Sequence, residues 1–248
     1  MDLIMKKITA LFLTLSAAAL CAETAPVAAW NFDKFENNKV PAGTGKLIAT
    51  AIRPDQIKSV PGKLGNAISI QGAYKGSKAG ALVVRKFNFD FSKPFTVEVM
   101  FKLDKEMPGV EKKTAHRLCR EIFNIADGER GPGVRFNFYY NSLALRSGDG
   151  KKPVHCGTSN TRTNVSAGEW HLATATYDGK TVSLYLDGVL ASQKVMTVTQ
   201  AKNTTLTIGS YKAGLCYPLR GEVDDLKFYN VCKSASDVAE KYIEIFGE

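Results

Sequence analysis

Three carboxylates lie within four positions near the end of the chain, in the stretch GEVDDLKFYN at residues 221–230. They are Glu222, Asp224 and Asp225. Residues two apart on a β-strand share a face, so Glu222 and Asp224 would point the same way. Two carboxyl groups about 5 Å apart can act as nucleophile and acid/base in the retaining hydrolysis of a glycosidic bond. The alternative is that these residues are polar positions of a structural strand.

Alternating patterns predict β-strands through most of the chain. Residues 83–91 alternate three phenylalanines with polar residues, and a period of two is typical of a half-buried strand. In residues 134–140 the same alternation sets Arg135, Asn137 and Tyr139 on the face opposite two phenylalanines. The phenylalanine faces are expected to be core, and the polar face is expected to be accessible.

Residues 170–193 give the clearest local prediction. Two extended runs meet at Asp178-Gly179, and a second turn follows at Asp187-Gly188. An Asp-Gly pair between alternating apolar residues predicts a β-hairpin, because glycine adopts the positive φ angle that such turns need.

A helix is predicted only at the end of the chain. Ser234 can cap it, Asp237 follows three residues later, and Val238 and Tyr242 begin an apolar stripe. The segment 41–62 contains three prolines and is predicted to be a long loop. Many short strands with glycine-rich turns favour a sandwich or jelly roll.

Several stretches, taken in order, carry a family resemblance. They are AAWNFD (28–33), GKLGNAISIQG (62–72), GEWHLATATYDGKTVSLYLDGVL (168–190), LTIGS (206–210) and GEVDDLKFYN (221–230). Their order and spacing resemble those of laminin-G-like, concanavalin A-like jelly-roll domains. The resemblance implies an all-β sandwich of two antiparallel sheets with a short C-terminal helix. It also implies a role in binding carbohydrate, glycan or protein at or outside the cell surface.

Some β-glucanases share this fold, and their signature resembles Glu-x-Asp-x-Glu, sometimes with one more spacer. The third acid would fall at Leu226 or Lys227, and neither residue is acidic. We therefore predict that the cluster is not catalytic and that the protein is not an enzyme. Related domains hold a calcium ion near this strand, so the resemblance suggests Asp33 and Asp224 as ligands of one structural calcium ion.

The first residues have the pattern of an export signal. Lys6 and Lys7 precede an apolar run at residues 8–20, and small residues follow. We predict a signal peptide at 1–22 and one domain at 23–248, which places the protein in the periplasm, at the cell surface or outside the cell. Acylation of Cys21 in a lipoprotein is the alternative. The run is too short to span a membrane as a helix.

The formal net charge of +9 favours anionic polysaccharide or cell-surface partners, although the basic residues are scattered and could serve solubility alone. No motif of nucleic-acid binding is present.

Four cysteines follow the predicted signal, and an even number in an exported protein suggests two disulfides. Three pairings are open. We predict Cys216 with Cys232, because they bracket one strand, which leaves Cys119 with Cys156. A zinc site formed by cysteines and histidines is the alternative, but no pair of cysteines has the spacing of a structural site.

Sugar-binding sites use aromatic rings that stack on the sugar and polar groups that bind its hydroxyls. Candidate residues of both kinds lie on the polar face of residues 134–140, nearby at residue 146, and in the loop before the last strand. They are Arg135, Asn137, Tyr139, Arg146, Tyr211 and Tyr217. The expected partner is a polysaccharide or glycan, or else a cell-surface protein. His171 has no nucleophile partner in the sequence and is predicted to be a packed, hydrogen-bonding residue.

Overall fold

The computed structural model describes residues 24–73, 79–105, 119–139, 142–158, 165–214 and 216–247. The predicted signal peptide at 1–22, including Cys21, lies outside these residues. No helix in the described ranges is long and apolar enough to cross a membrane.

Sixteen strands and one helix form the described part of the chain. In chain order the strands are β1 (Ala28–Trp30), β2 (Lys39–Pro41), β3 (Ile48–Ile52), β4 (Ile57–Pro61), β5 (Asn66–Ile70), β6 (Ala81–Val84), β7 (Phe95–Leu103), β8 (Arg120–Ala126), β9 (Gly133–Tyr139), β10 (Ser142–Gly148), β11 (Pro153–Gly157), β12 (Trp170–Tyr177), β13 (Thr181–Leu186), β14 (Val189–Val195), β15 (Leu206–Ile208) and β16 (Gly221–Tyr229). The helix α1 spans Ala235–Phe246.

The strands form two antiparallel sheets of eight strands each. Sheet A has the order β14-β13-β12-β7-β16-β5-β4, and β1 pairs with β16 beside this path. Sheet B has the order β11-β10-β9-β8-β15-β6-β3-β2. The predicted fold class, a concanavalin A-like jelly-roll sandwich with a short C-terminal helix, is confirmed.

The core lies between the two sheets and is rich in aromatic rings. Phe228 of sheet A lies 5.4 Å from Phe123 of sheet B, and Phe101 of sheet A lies 5.2 Å from Phe138 of sheet B, measured between ring centroids. Edge-to-face contacts of this kind stabilise a core beyond the area they bury. Phe87 packs within 4.9 Å of Phe228, so the predicted core role of the phenylalanines in 83–91 is confirmed.

The prediction of a long loop at 41–62 is wrong. The segment contains β3, β4 and a 3-10 turn at Pro54–Gln56. Its outer prolines, Pro41 and Pro61, are the last residues of β2 and β4, which are edge strands. Proline is tolerated at an edge because its missing N–H is not needed by a neighbouring strand.

The last strand, β16, carries a bulge between Asp224 and Lys227, and Asp225 has a φ angle of 48°. Strict alternation placed Leu226 on the face of Glu222 and Asp224. The bulge overturns that prediction, because Leu226 joins the core between the sheets. An extra residue in one strand shifts which face every later side chain takes.

The helix follows the predicted capping pattern. Ser234 Oγ accepts a hydrogen bond from the N–H of Asp237 at 3.2 Å, and the carboxylate of Asp237 accepts one from the N–H of Ser234 at 2.8 Å. The helix packs beside the β13–β14 turn of sheet A. Gly188 in that turn has a φ angle of 76°, and a Cβ atom there would lie 2.9 Å from the side chain of Tyr242.

Candidate ligand-binding site

The carboxylates of the GEVDDLKFYN strand each have a structural partner. Glu222 pairs with Lys102 of β7, with 2.6 Å between the charged atoms, and Asp225 pairs with Lys227 at 2.8 Å. Asp224 is fully buried and accepts hydrogen bonds from the N–H of Asp225 at 2.8 Å and weakly from Leu64 at 3.5 Å. These contacts are those expected of polar positions in a structural strand.

The candidate calcium ligands come together only in part. Asp33 follows β1, which pairs with β16, and its Oδ1 atom accepts from the N–H of Asn66 at 2.9 Å. The carboxylates of Asp33 and Asp224 are thus already bound by backbone N–H groups, which compete with a cation. Among the described residues, no group of three or more His, Cys, Asp or Glu could hold a metal ion. Binding of calcium by Asp33 and Asp224 stays a prediction for experiment.

The polar face of sheet B presents a different arrangement. Phe136 and Phe138 of β9 point into the core, so Arg135 and Asn137 lie on the outer face, as predicted. Both residues are nevertheless buried there. Their partner is Glu121 of β8, whose side chain is wholly inaccessible.

Glu121 accepts hydrogen bonds from both polar residues of β9. Its Oε1 atom accepts from Arg135 Nε at 2.8 Å, from the same guanidinium through Nη2, and from Asn137 Nδ2 at 3.1 Å. Full burial raises the pKa of Glu121, and the charge of Arg135 opposes that rise. Burial alone would lower the pKa of Arg135, but the carboxylate of Glu121 outweighs it and raises that pKa, so the guanidinium stays charged. Two N–H groups of one guanidinium that converge on a single buried carboxylate oxygen restrict the side chain in orientation as well as position.

The loop between β15 and β16 lies over this pair. The guanidinium carbon of Arg135 is 4.5 Å from the ring centroid of Tyr211 and 5.9 Å from that of Tyr217. The backbone N–H of Glu121 also donates to the carbonyl of Tyr217 at 3.1 Å. Burial raises the pKa of Tyr211 to about 12, so its ring is held as a neutral phenol.

A pocket of about 250 Å³ opens beside these residues. Its walls include four of the six candidate ligand-binding residues, namely Arg135, Tyr139, Arg146 and Tyr217. The other two do not line the pocket: Tyr211 packs its ring on the guanidinium of Arg135, and Asn137 donates to Glu121, the partner of Arg135. Tyr139 is 45% exposed, and its ring lies against the guanidinium of Arg146.

Three contributors to this site were not predicted: Glu121, Glu129 and Arg130. Glu129 accepts a hydrogen bond from the Tyr217 hydroxyl at 3.1 Å, and both Glu129 and Arg130 line the pocket from the β8–β9 turn. This turn meets the β15–β16 loop through a contact between distant parts of the chain, which no local pattern reports.

Among the described residues the predicted disulfides are not formed, and Cys119, Cys156, Cys216 and Cys232 are all unbridged. Cys119 and Cys156 lie at strands β8 and β11, three strand spacings or roughly 14 Å apart, whereas a disulfide joins Cα atoms within about 7 Å. Cys156 also points into the core, while Cys119 faces Arg135 on the outer side. Cys216 and Cys232 lie beyond opposite ends of β16, whose nine residues span roughly 26 Å.

His171 has a structural role, as predicted. Its Nδ1 atom lies 2.7 Å from Asp187 Oδ2, and its Nε2 atom lies 3.2 Å from the carbonyl of Ser166. Asp187 also accepts from the N–H of Leu172 at 2.9 Å. The histidine therefore ties the β13–β14 turn to β12.

The family profile described as "Concanavalin A-like lectin/glucanases superfamily" matches residues 75–239. The chain belongs to this superfamily. No relative of curated function is found by sequence similarity.

Solved structures with the same lectin/glucanase fold include binding domains. Domain 4 of AbnA, a GH43 extracellular arabinanase from Geobacillus stearothermophilus in complex with arabinotriose, is 18% identical with a TM-score of 0.63, covering 88% of this chain and 98% of that domain. The binding domain of Paraclostridial Mosquitocidal Protein 1 is 16% identical with a TM-score of 0.65, covering 89% and 52%. The Botulinum Neurotoxin Type G receptor binding domain is 13% identical with a TM-score of 0.63, covering 88% and 51%. The chain spans about half the length of these two toxin domains, and at such identities the likeness shows the fold.

Proposed function

We propose that this protein is an exported, non-catalytic carbohydrate-binding domain and that the pocket on sheet B holds the sugar. One observation carries the proposal: exposed Tyr139 and the hydrogen-bonding groups of Arg135, Arg146 and Tyr217 converge in a single pocket. Apolar stacking surface beside a few fixed polar groups is the usual composition of a small-ligand site.

The ion pair beneath the pocket supports binding because it prepares the site before a ligand arrives. Arg135 is held by Glu121 and by the ring of Tyr211, so little side-chain freedom is lost when a sugar binds. The arabinanase domain, which has the same fold and is solved with arabinotriose, supports carbohydrate as the ligand class.

The test is a titration of the purified domain with oligosaccharides of arabinose, xylose, glucose and galactose by calorimetry. The Tyr139→Ala variant removes the exposed ring and is expected to weaken binding about tenfold, whereas Tyr139→Phe should retain most of it. Tyr242→Ala, on the helix beside sheet A, is the matched control and should bind like the wild type. If no oligosaccharide binds, or if Tyr242→Ala weakens binding as much as Tyr139→Ala, the pocket is not a sugar site.

A protein partner is the second candidate, and β14 favours it. This strand forms one edge of sheet A, and Val189 and Val195 on it are 69% and 66% exposed. An edge strand with exposed apolar residues can pair with another chain. In that case Val189→Lys would abolish a measured self-association or partner complex, while the Tyr139→Ala change would leave it intact.

A further inference from the structure

The pocket has a surplus of positive charge, and this rests on, and refines, the proposed carbohydrate function. Glu121 already neutralises Arg135 through the buried ion pair. Two more arginines, Arg130 and Arg146, line the same pocket together with one carboxylate, that of Glu129. In the described ranges of the chain, neither Arg130 nor Arg146 has a carboxylate within salt-bridge distance.

Arg146 lies against an aromatic ring of the pocket. Its guanidinium carbon lies 4.8 Å from the ring centroid of Tyr139, a distance at which a cation is attracted to the face of an aromatic ring. Its Nε atom is buried and, among the described residues, has no hydrogen-bond partner. A guanidinium presents its N–H groups as a rigid fork that matches the two oxygens of a carboxylate or the oxygens of a sulfate. Arg146 as a whole is only partly buried and lines the pocket, so a ligand oxygen there would meet a guanidinium that no described carboxylate neutralises.

The neighbouring strand experiences the same positive field. His155 of β11 pairs in register with Arg146 of β10. Partial burial lowers the pKa of His155, and the charges of Arg146 and Lys194 lower it further. The lowered pKa keeps this histidine neutral at pH 7, as expected beside positive charge that no carboxylate compensates.

The size of the pocket limits the ligand. About 250 Å³ is below the range of roughly 300–1,000 Å³ that is typical of sites for drug-sized molecules. The pocket is therefore smaller than a site that encloses a whole drug-sized ligand, and an anionic group held in it would lie close to the arginines that line it.

From these contacts we infer that the pocket selects an anionic sugar unit, whose carboxylate or sulfate lies against Arg146 and Arg130 while its ring packs on Tyr139. Tyr139 would then contact the sugar ring and Arg146 its anionic group, and these two side chains already contact each other. Uronate and sulfated sugars share this chemistry, and the experiment below separates them.

The experiment compares trigalacturonate, its methyl ester, neutral galactotriose and a 6-sulfated galactose oligosaccharide by calorimetry at low and high salt. We expect the charged ligand to bind at least about tenfold tighter than its neutral counterpart, with the difference shrinking as salt rises. Tighter binding of trigalacturonate than of the sulfated sugar assigns a carboxylate, and the reverse order assigns a sulfate.

Arg146→Gln is expected to weaken the charged ligand at least about tenfold more than it weakens neutral galactotriose, and Arg146→Lys is expected to restore part of the difference. Arg85→Gln makes the same charge change at an exposed residue away from the pocket and should preserve the preference. Equal binding of charged and neutral sugars, or an equal loss of both in Arg146→Gln, would overturn the inference and leave the proposed function standing. Failure of every sugar to bind would instead refute both.

Discussion

Arg135 of β9 and Glu121 of β8 form an ion pair that is buried on the outer face of sheet B and not in the core between the sheets. The Nε atom of Arg135 lies 2.8 Å from Glu121 Oε1, and both side chains are almost inaccessible to solvent. The two charges are covered by the loop that carries Tyr211 and Tyr217. The pair therefore joins β8 and β9 to this loop, and its arginine lines the pocket.

The pair predicts a strongly non-additive effect on stability. We expect Arg135→Gln to lower the free energy of unfolding by about 3–5 kcal/mol, because it leaves the carboxylate of Glu121 buried without a counter-charge. The double variant Glu121→Gln with Arg135→Gln should lose less than the two single variants added together. Urea unfolding of all four proteins measures both quantities. Strictly additive losses would mean that the two charges do not depend on each other.

Much of the fold was predictable because its signals are local. Alternation within residues 134–140 identifies the core face of β9, since neighbouring side chains on a strand always point to opposite sides. The two Asp-Gly turns of residues 170–193 and the Ser234 cap are equally local, and the structure confirms them.

The site was predicted only in part, for physical reasons. Glu121 escaped notice because a bulge between Glu121 and Phe123 breaks the alternation of β8, so the sequence did not show which face the carboxylate takes. Glu129 and Tyr217 meet through a contact between loops 88 residues apart, and no periodicity reports such a contact. The distances between the cysteines are likewise set by how distant strands pair. The number and spacing of the cysteines had suggested disulfides, but neither property reports those distances.

The unbridged cysteines differ in burial, so we expect them to react with alkylating reagents at different rates. Cys232 is exposed and should react first with iodoacetamide in the folded protein, whereas Cys119 and Cys156 should be protected until the protein unfolds. Burial, with a smaller contribution from Glu121, raises the pKa of Cys119 to about 12, so almost no thiolate is present at neutral pH. Peptide mapping by mass spectrometry under non-reducing conditions measures the order. A peptide linking Cys216 with Cys232 would contradict the arrangement of β16 described above.

The His171–Asp187 contact predicts that stability falls as the pH rises above neutrality. Burial alone would lower the pKa of His171, but the hydrogen bond and the charge of Asp187 outweigh it and raise that pKa above 6.5. A raised pKa means that the folded state holds the proton more tightly, so the stabilisation is complete below about pH 6.5 and is lost as the pH passes the folded-state pKa.

Thermal melts of the wild type and His171→Gln from pH 5 to pH 9 test this expectation. The difference in Tm should be largest at pH 5 and should shrink at alkaline pH. Asp187→Asn is the matched control, because asparagine tolerates the φ angle of 52° at this position and removes only the charge. A difference in Tm that does not change with pH would mean that the imidazole is not protonated in the fold.

Asp224 predicts a second and distinct dependence of stability on pH. Its pKa is raised from 3.8 to about 7, first by burial and then by the neighbouring charge of Asp225. The folded state thus prefers the neutral carboxyl, and the wild type should lose stability as the pH rises from about 4 to about 7. We expect Asp224→Asn to match the wild type near pH 3.5 and to exceed it at pH 8, with Tm higher by about 2–4 °C for each kcal/mol gained.

Bound calcium would reverse the difference in stability between Asp224→Asn and the wild type at pH 8. The same variant therefore tests the calcium prediction. A cation held by Asp33 and Asp224 would favour the ionised carboxylate, so calcium would raise the Tm of the wild type at pH 8 and a chelator would lower it. Asp224→Asn would then be the less stable protein in calcium. If calcium and chelator both leave the wild-type Tm unchanged while Asp224→Asn is more stable at pH 8, the carboxyl is a buried acid that folds best when protonated. A loss of stability in Asp224→Asn at every pH, with or without calcium, would contradict both accounts and would make its hydrogen bond from the N–H of Asp225 the dominant contribution.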